Sequence, residues 1–204
     1  MDDKYHYNIS SPIDDLVPFM PQFIIVYFGC FIFWAVNYCM IARLDKEHVY
    51  RFFTADFYAR LACLIIFVLF PTTNTRPELV GNDFFTWCMR FLYQVDAPTN
   101  LFPSIHCMTS WFCYIGIRNK KGIPLWYQRF SGIMAIAVFI STLALRQHVL
   151  IDVIAGVVLA QLTYYISQRT EGYKRYREIC ENLGDRIMAR IEGRYHDKQE
   201  TNVI

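Results

Sequence analysis

Charge is scarce in this sequence. Of its 204 residues only 19% are Asp, Glu, Lys or Arg, against 54% hydrophobic, a balance that argues against an ordinary soluble domain. The net charge of +2 is too small to imply a nucleic-acid partner, and no basic cluster alternates with an aromatic platform. Closely spaced cysteines are missing as well. Most of the seven cysteines stand singly in apolar stretches, as Cys30, Cys39, Cys63 and Cys113 do, so they read as core thiols and neither a metal site nor a disulfide scaffold is expected. The first apolar block lacks a basic leader and a small-residue cleavage site. It is therefore expected to stay as a span and not to be removed as a signal peptide.

What the chain has instead is long apolar runs, covering residues 19–41, 52–70, 102–117, 130–145 and 148–166. A helix needs about 20 residues to cross the hydrocarbon layer. The first, second and fifth runs meet that length, while the third and fourth need their polar ends to reach the interface. Helices buried in a soluble bundle would show polar faces at a period of 3.6, and the first and fifth runs hardly do. The expected fold is all-α, a polytopic membrane helical bundle of about five transmembrane helices. An interfacial or re-entrant helix is expected at residues 83–95, where aromatic and apolar residues accompany Arg90.

Loop charge orients the spans. Arg43, Lys46 and Arg51 follow the first run, Arg118, Lys120, Lys121 and Arg129 follow the third, and Arg169, Lys174, Arg175 and Arg177 follow the fifth. With five spans these groups share one side, which is then cytoplasmic. The acidic start (Asp2, Asp3, Asp14, Asp15), residues 71–101 and the turn around Arg146 are expected outside. The chain divides accordingly into an extracytoplasmic segment 1–18, a membrane domain 19–168 and a cytoplasmic tail 169–204. The tail reads as a helix of one to three turns or more near the membrane. No repeat or low-complexity segment suggests a second domain.

Three polar stretches fall on the outer side: residues 70–77, 96–106 and 141–152. Pro103 fits the first turn of the third helix, where its missing donor costs little. Ser104 and His106 would then stand beside free backbone amides, a place that favours phosphate; equally, Asn100 or Ser104 simply caps the helix and His106 fills the interface. His148 and Asp152 are four apart, so a carboxylate can hold one imidazole nitrogen and leave the other free to attack, with a structural ion pair as the alternative. Arg76 and Arg146 add guanidinium forks suited to phosphate oxygens, with no metal required. Asp56 and Arg60, also four apart but towards the cytoplasmic end, are expected to neutralise each other.

In these residues the sequence resembles the type 2 phosphatidic acid phosphatase superfamily, integral-membrane lipid phosphatases and their phosphotransferase relatives. Its three signatures are a Lys-initiated stretch ending Arg-Pro, then Pro-Ser-x-His, then Ser-Arg followed by His and Asp. Arg76-Pro77 matches the end of the first, Pro103-Ser104-Ile105-His106 the second, and Ser141, His148 and Asp152 keep the spacing of the third. The resemblance covers residues 52–168. Leu69 stands where the first signature has lysine and Thr142 where the third has arginine, a loss that Arg146 could offset from another position. The run from Arg146 to Val153 looks closer to the inositol phosphorylceramide and sphingomyelin synthase branch.

The resemblance implies that His148 attacks the phosphorus of a phosphorylated lipid and forms a phosphohistidine. Asp152 would orient it, and His106 would protonate the leaving oxygen and then activate the acceptor. Arg76, Arg146 and Ser104, with Ser141 or Thr142 as weaker candidates, would hold the phosphoryl oxygens. No cofactor or metal is implied, and the partners are a lipid substrate and the surrounding membrane lipids. Hydrolysis, head-group transfer between lipids, and an inactive lipid-binding relative all remain open. A transporter would carry polar residues through the bilayer along several helices, whereas here they gather at one end.

Overall fold

An apolar run in lipid has no water to satisfy its backbone, so each one must close its own N–H and C=O groups by coiling into a helix. The computed structural model describes residues 5–201, with side chains for residues 5–191. Asp2 and Asp3 lie outside the described residues. The principal helices are α2 (Ile24–Ile41), α3 (Lys46–Leu69), α5 (Ile105–Ile117), α6 (Leu125–Ala144) and α7 (Leu150–Arg169), preceded by a short α1 (Pro12–Asp15) and accompanied by α4 (Phe84–Val95) and α8 (Gly172–Thr201). The molecule is an all-α membrane helical bundle.

Four stretches, Pro21–Ile41, Lys46–Leu69, Leu125–Ala144 and Leu150–Arg169, are long and apolar enough to cross a membrane. Helix α5 is not, with 13 residues that reach about 20 Å at ~1.5 Å each, against ~30 Å of hydrocarbon. Its position explains why it can be short. It packs on α2, α3, α6 and α7, and nine of its 13 residues are buried, so its sides are enclosed by protein. The outer faces of the longer helices expose large apolar side chains, among them Ile32 and Val36 on α2, Leu64 and Val68 on α3, Ile133 and Ile136 on α6, and Val158 and Leu162 on α7. Contiguous patches of that kind fit a lipid boundary, not water.

Local chemistry sets the helix ends. Helix α3 starts before its apolar run because the Asp45 carboxylate accepts the His48 N–H at 2.9 Å. Helix α4 starts where Asp83 accepts the N–H groups of Phe85 and Thr86. It buries Cys88, Met89 and Leu92 beside Ile24 and Tyr27 and exposes Phe84, Trp87 and Phe91, the amphipathic pattern of an interfacial helix. Helix α8 runs 30 residues, longer than the minimum of a few turns, and is docked at its root. Arg51 donates to the Ser167 and Thr170 carbonyls at 2.7 and 2.9 Å, and its guanidinium lies 4.0 Å from the Tyr173 ring centre.

Polar side chains are not confined to one end of the bundle. Arg60 donates to Asp56 at 2.8 Å, as their spacing predicts, and the Tyr38 hydroxyl donates to the other Asp56 oxygen at 3.0 Å. The Ser131 hydroxyl donates to Asn37 at 3.3 Å. These groups satisfy one another, as interior polar groups between membrane helices must.

The segment before α2 lies across the end where α3 exits and α5 and α7 begin. Its strand β1 (Tyr7–Asn8) pairs in parallel with β2 (Thr72–Thr73). The Asp14 carboxylate accepts the Leu150 N–H at 2.7 Å, and Met20 N–H donates to the Ala144 carbonyl. The segment is thus a strap over the α6–α7 turn.

Candidate active site

The three polar stretches of the sequence meet under this strap. Ser104 caps α5, its hydroxyl accepting the Cys107 N–H at 3.3 Å, so Pro103 precedes the helix and does not occupy its first turn. The Ser104 N–H in turn donates to the Asp152 carbonyl of α7 at 3.0 Å. The two helices approach so closely that a Cβ on Gly156 would lie 2.4 Å from the Ser104 carbonyl oxygen.

Helix α6 ends with Arg146 in the left-handed region, φ 53°, and the Thr142 carbonyl accepts the N–H groups of both Gln147 and His148, at 3.0 and 3.2 Å. This is the way a helix C-terminus satisfies its last carbonyls while the chain reverses. His148 therefore stands two residues before α7, not in its first turn. The contact with Asp152 is made all the same, because Asp152 lies in the opening turn of α7. Its Oδ2 accepts the Val149 N–H at 3.0 Å and lies 3.3 Å from His148 Nδ1. With Nδ1 held by the carboxylate, Nε2 is the nitrogen left for chemistry.

His106 completes the pair of imidazoles. Its ring centre is 5.7 Å from that of His148, and both line a cavity of about 130 Å³ with Asp96, Thr99, Asn100, Leu101, Ile105 and Gln147. On its other side His106 meets Tyr27, Trp34 and Phe31 of α2, at 4.6, 5.5 and 6.2 Å between ring centres. Among the described residues, the N–H groups of Ile105 and His106, the first two of α5, have no protein partner. A helix start with free amides attracts anions.

Arg76 reaches the cavity through two of its wall residues, donating to the Asp96 carbonyl at 2.6 Å and to Gln147 Oε1 at 2.8 Å. Its guanidinium also lies 4.4 Å from the Tyr93 ring centre. Burial lowers its pKa from the usual arginine value, and nearby Asp96 and the Tyr93 and Tyr27 hydroxyls only partly counter that; an arginine remains a cation regardless. Arg146 is not brought to the cavity. Its guanidinium donates to the Asp14 and Val17 carbonyls at 2.6 and 2.8 Å and so anchors the strap. The Ser141 and Thr142 hydroxyls are turned onto their own helix, donating to the Val138 and Phe139 carbonyls. Thr142 contributes through its carbonyl, which shapes the turn before His148.

The strap has its own pH response. Burial alone would raise the Asp14 pKa, but the N–H groups of Leu150 and Ser11, the Ser11 hydroxyl and nearby Arg146 together hold it below the ordinary aspartate value. A carboxyl depressed in the fold stabilises it fully above its unfolded pKa, about 3.9, and loses that contribution as pH falls through the lower folded value. Hydrogen exchange of the Leu150 amide should therefore hold constant from neutral pH to about 4, relative to its intrinsic rate, and lose protection below. In Asp14→Asn that acid step should vanish.

Three residues of this architecture carry no signal in the sequence. Gln147 is masked by its neighbour His148, and Gly156 is one glycine within an apolar run. Thr72 lies in a run of threonines, yet its hydroxyl accepts the N–H groups of both Leu101 and Phe102 at 2.9 Å, and its carbonyl accepts that of Asn100 at 2.8 Å. It ties the Arg76 loop to the His106 loop. Thr72→Val should leave two donors unpaired, at about 1–3 kcal/mol each where buried. A clear fall in the detergent-solubilised melting temperature checks this, against a Thr73→Val control.

Comparison with known proteins gives one finding. A family model described as the PAP2 superfamily matches residues 18–166, well over half of the chain, while no curated protein and no solved structure matches it. The match runs from the strap's end nearly to the end of α7 and includes Ser104, His106, His148 and Asp152, which the fold gathers at one place; the chain belongs to the PAP2 superfamily.

Proposed function

We propose that this membrane protein is a metal-independent phosphatase of lipid phosphates or pyrophosphates, working through a phosphohistidine on His148. One observation carries the reading: His148 is held at Nδ1 by a buried carboxylate, with a second imidazole 5.7 Å away between ring centres across a cavity bordered by a helix N-terminus. Family membership supports phosphatase-like chemistry on lipid phosphates.

In the first step His148 Nε2 attacks phosphorus, the bond to the lipid oxygen breaks, and that oxygen leaves with a proton from His106. In the second, His106 takes a proton from water as the water attacks phosphorus and the N–P bond breaks, returning both histidines to their starting state. Asp152 fixes the imidazole ring and stabilises its positive charge. Arg76 and the free amides of α5 offset the charge that builds on the phosphoryl oxygens, where phosphoryl transfer gains most. The basic loops at the opposite end of the bundle support an extracytoplasmic active site with a cytoplasmic carboxyl terminus.

A transferase is the second reading, favoured by the aromatic wall that Tyr27, Phe31 and Trp34 place around His106, a surface suited to an apolar alcohol acceptor. Both readings share the first step, so products must separate them. Purified protein supplied with phosphatidate, an isoprenyl pyrophosphate or a phospholipid donor should release free phosphate without any added alcohol. A new phosphodiester that forms only when a hydroxyl acceptor is present would overturn hydrolysis in favour of transfer. No turnover of any donor would leave a lipid-binding protein.

A further inference from the structure

Gln147 is 1% exposed, beside the nucleophile proposed above, and lines the same cavity. Its amide orientation is dictated by its neighbour. Arg76 can only donate, so the group 2.8 Å from its Nη2 must be the amide oxygen of Gln147. The NH₂ is then fixed at the other position, where, among the described residues, it is buried without a hydrogen-bond partner. The Nε of Arg76 is buried and unpartnered as well. A buried donor left unmade costs about 1–3 kcal/mol, so such groups call for an explanation. Here both belong to one hydrogen-bonded pair, whose Gln147 lines the cavity together with Ile105 and His106, the residues carrying the unpartnered amides that open α5.

From this we infer that the Gln147 side-chain amide is a donor to the phosphoryl oxygens, with Arg76 holding it in register. The inference rests on the phosphohistidine reading and adds a residue to it. Position 142 carries a threonine whose hydroxyl is turned onto its own helix, so Gln147 supplies from the other end of the turn a donor that this threonine does not. Arg76 and Gln147 then act as one unit. The arginine brings charge and orientation, and the amide brings a neutral donor within the cavity that His148 borders.

The competing role is purely one of positioning, in which Gln147 serves Arg76 and touches no substrate. Gln147→Glu separates the two, since the carboxylate still accepts from Arg76 but has no proton to donate. With orthovanadate as the phosphoryl mimic, Gln147→Glu should raise the inhibition constant and lower kcat by about 10²-fold, the scale of removing one such donor. Retention of both within twofold overturns the inference. Because the added charge alone could repel an oxyanion, a second measurement uses the wild-type protein. In protein labelled with ¹⁵N at glutamine side chains, the Gln147 amide signal, assigned by its loss in Gln147→Met, should shift when orthovanadate is added. No shift overturns the inference even if Gln147→Glu is inactive. His148→Ala keeps the two levels apart, because turnover that survives in it defeats the phosphohistidine reading itself, whatever Gln147 does.

Discussion

Turnover of the lipid phosphate is expected to fall on the order of 10⁴-fold or more when His148 is replaced by alanine, the scale of losing a covalent nucleophile from a site whose parts act as a unit. The fold should survive the change. His148 precedes α7, and the Val149 N–H to Asp152 contact that shapes the helix start does not depend on its ring. The melting temperature should therefore move little while activity disappears. Asp152→Asn should damage the same step, because an amide cannot stabilise a positively charged imidazole as a carboxylate does. If His148→Ala instead keeps a tenth or more of wild-type turnover, another group carries the chemistry.

The second large effect is structural and reaches the site indirectly. A methyl group on Gly156 would stand 2.4 Å from the Ser104 carbonyl oxygen, a backbone atom that can yield only if α5 and α7 separate. Overpacking of this kind costs about 1–3 kcal/mol. The displacement falls on the residues that join His106 to His148, and an error of about 1 Å at a reacting pair can cost about 10²-fold in rate. Gly156→Ala should therefore lower both the melting temperature and kcat. Gly184→Ala on α8, where an added Cβ meets nothing within 4 Å, should be neutral or slightly stabilising, since alanine is the better helix former. Equal behaviour of the two variants would show that the α5–α7 contact is not what sets the histidine pair.

Much of this arrangement was legible in the chain. Apolar run length located every principal helix, because satisfaction of the backbone in lipid leaves coiling as the one solution for such runs. The amphipathic helix at Phe84–Val95 followed from the aromatic and apolar residues that accompany Arg90, and the meeting of His106 with His148 followed from helix order. The misjudged details are those decided by tertiary contact. The third run already falls short of a full span, but how α5 tolerates stopping at 13 residues depends on four neighbouring helices closing round it. His148 reads as part of a helix in sequence, yet the left-handed turn at Arg146 leaves it outside α7. Arg146 has the right charge and sits beside the right histidine, but the strap claims its guanidinium through carbonyls 132 and 129 residues away. Contacts at such separation leave no local pattern. Thr72 and Gln147 were hidden for the same reason, as their importance lies in which backbone or side-chain donors converge on them.

The central claim is a covalent phosphoryl group on His148. Purified protein should be mixed briefly with a ³²P-labelled lipid phosphate and quenched in alkali, which preserves phosphohistidine, and the labelled peptide should then be identified. The expected result is label on the peptide carrying His148, lost on acid treatment and absent from His148→Ala. Turnover with no protein-bound label at any quench time, or label of equal intensity in His148→Ala, would contradict it.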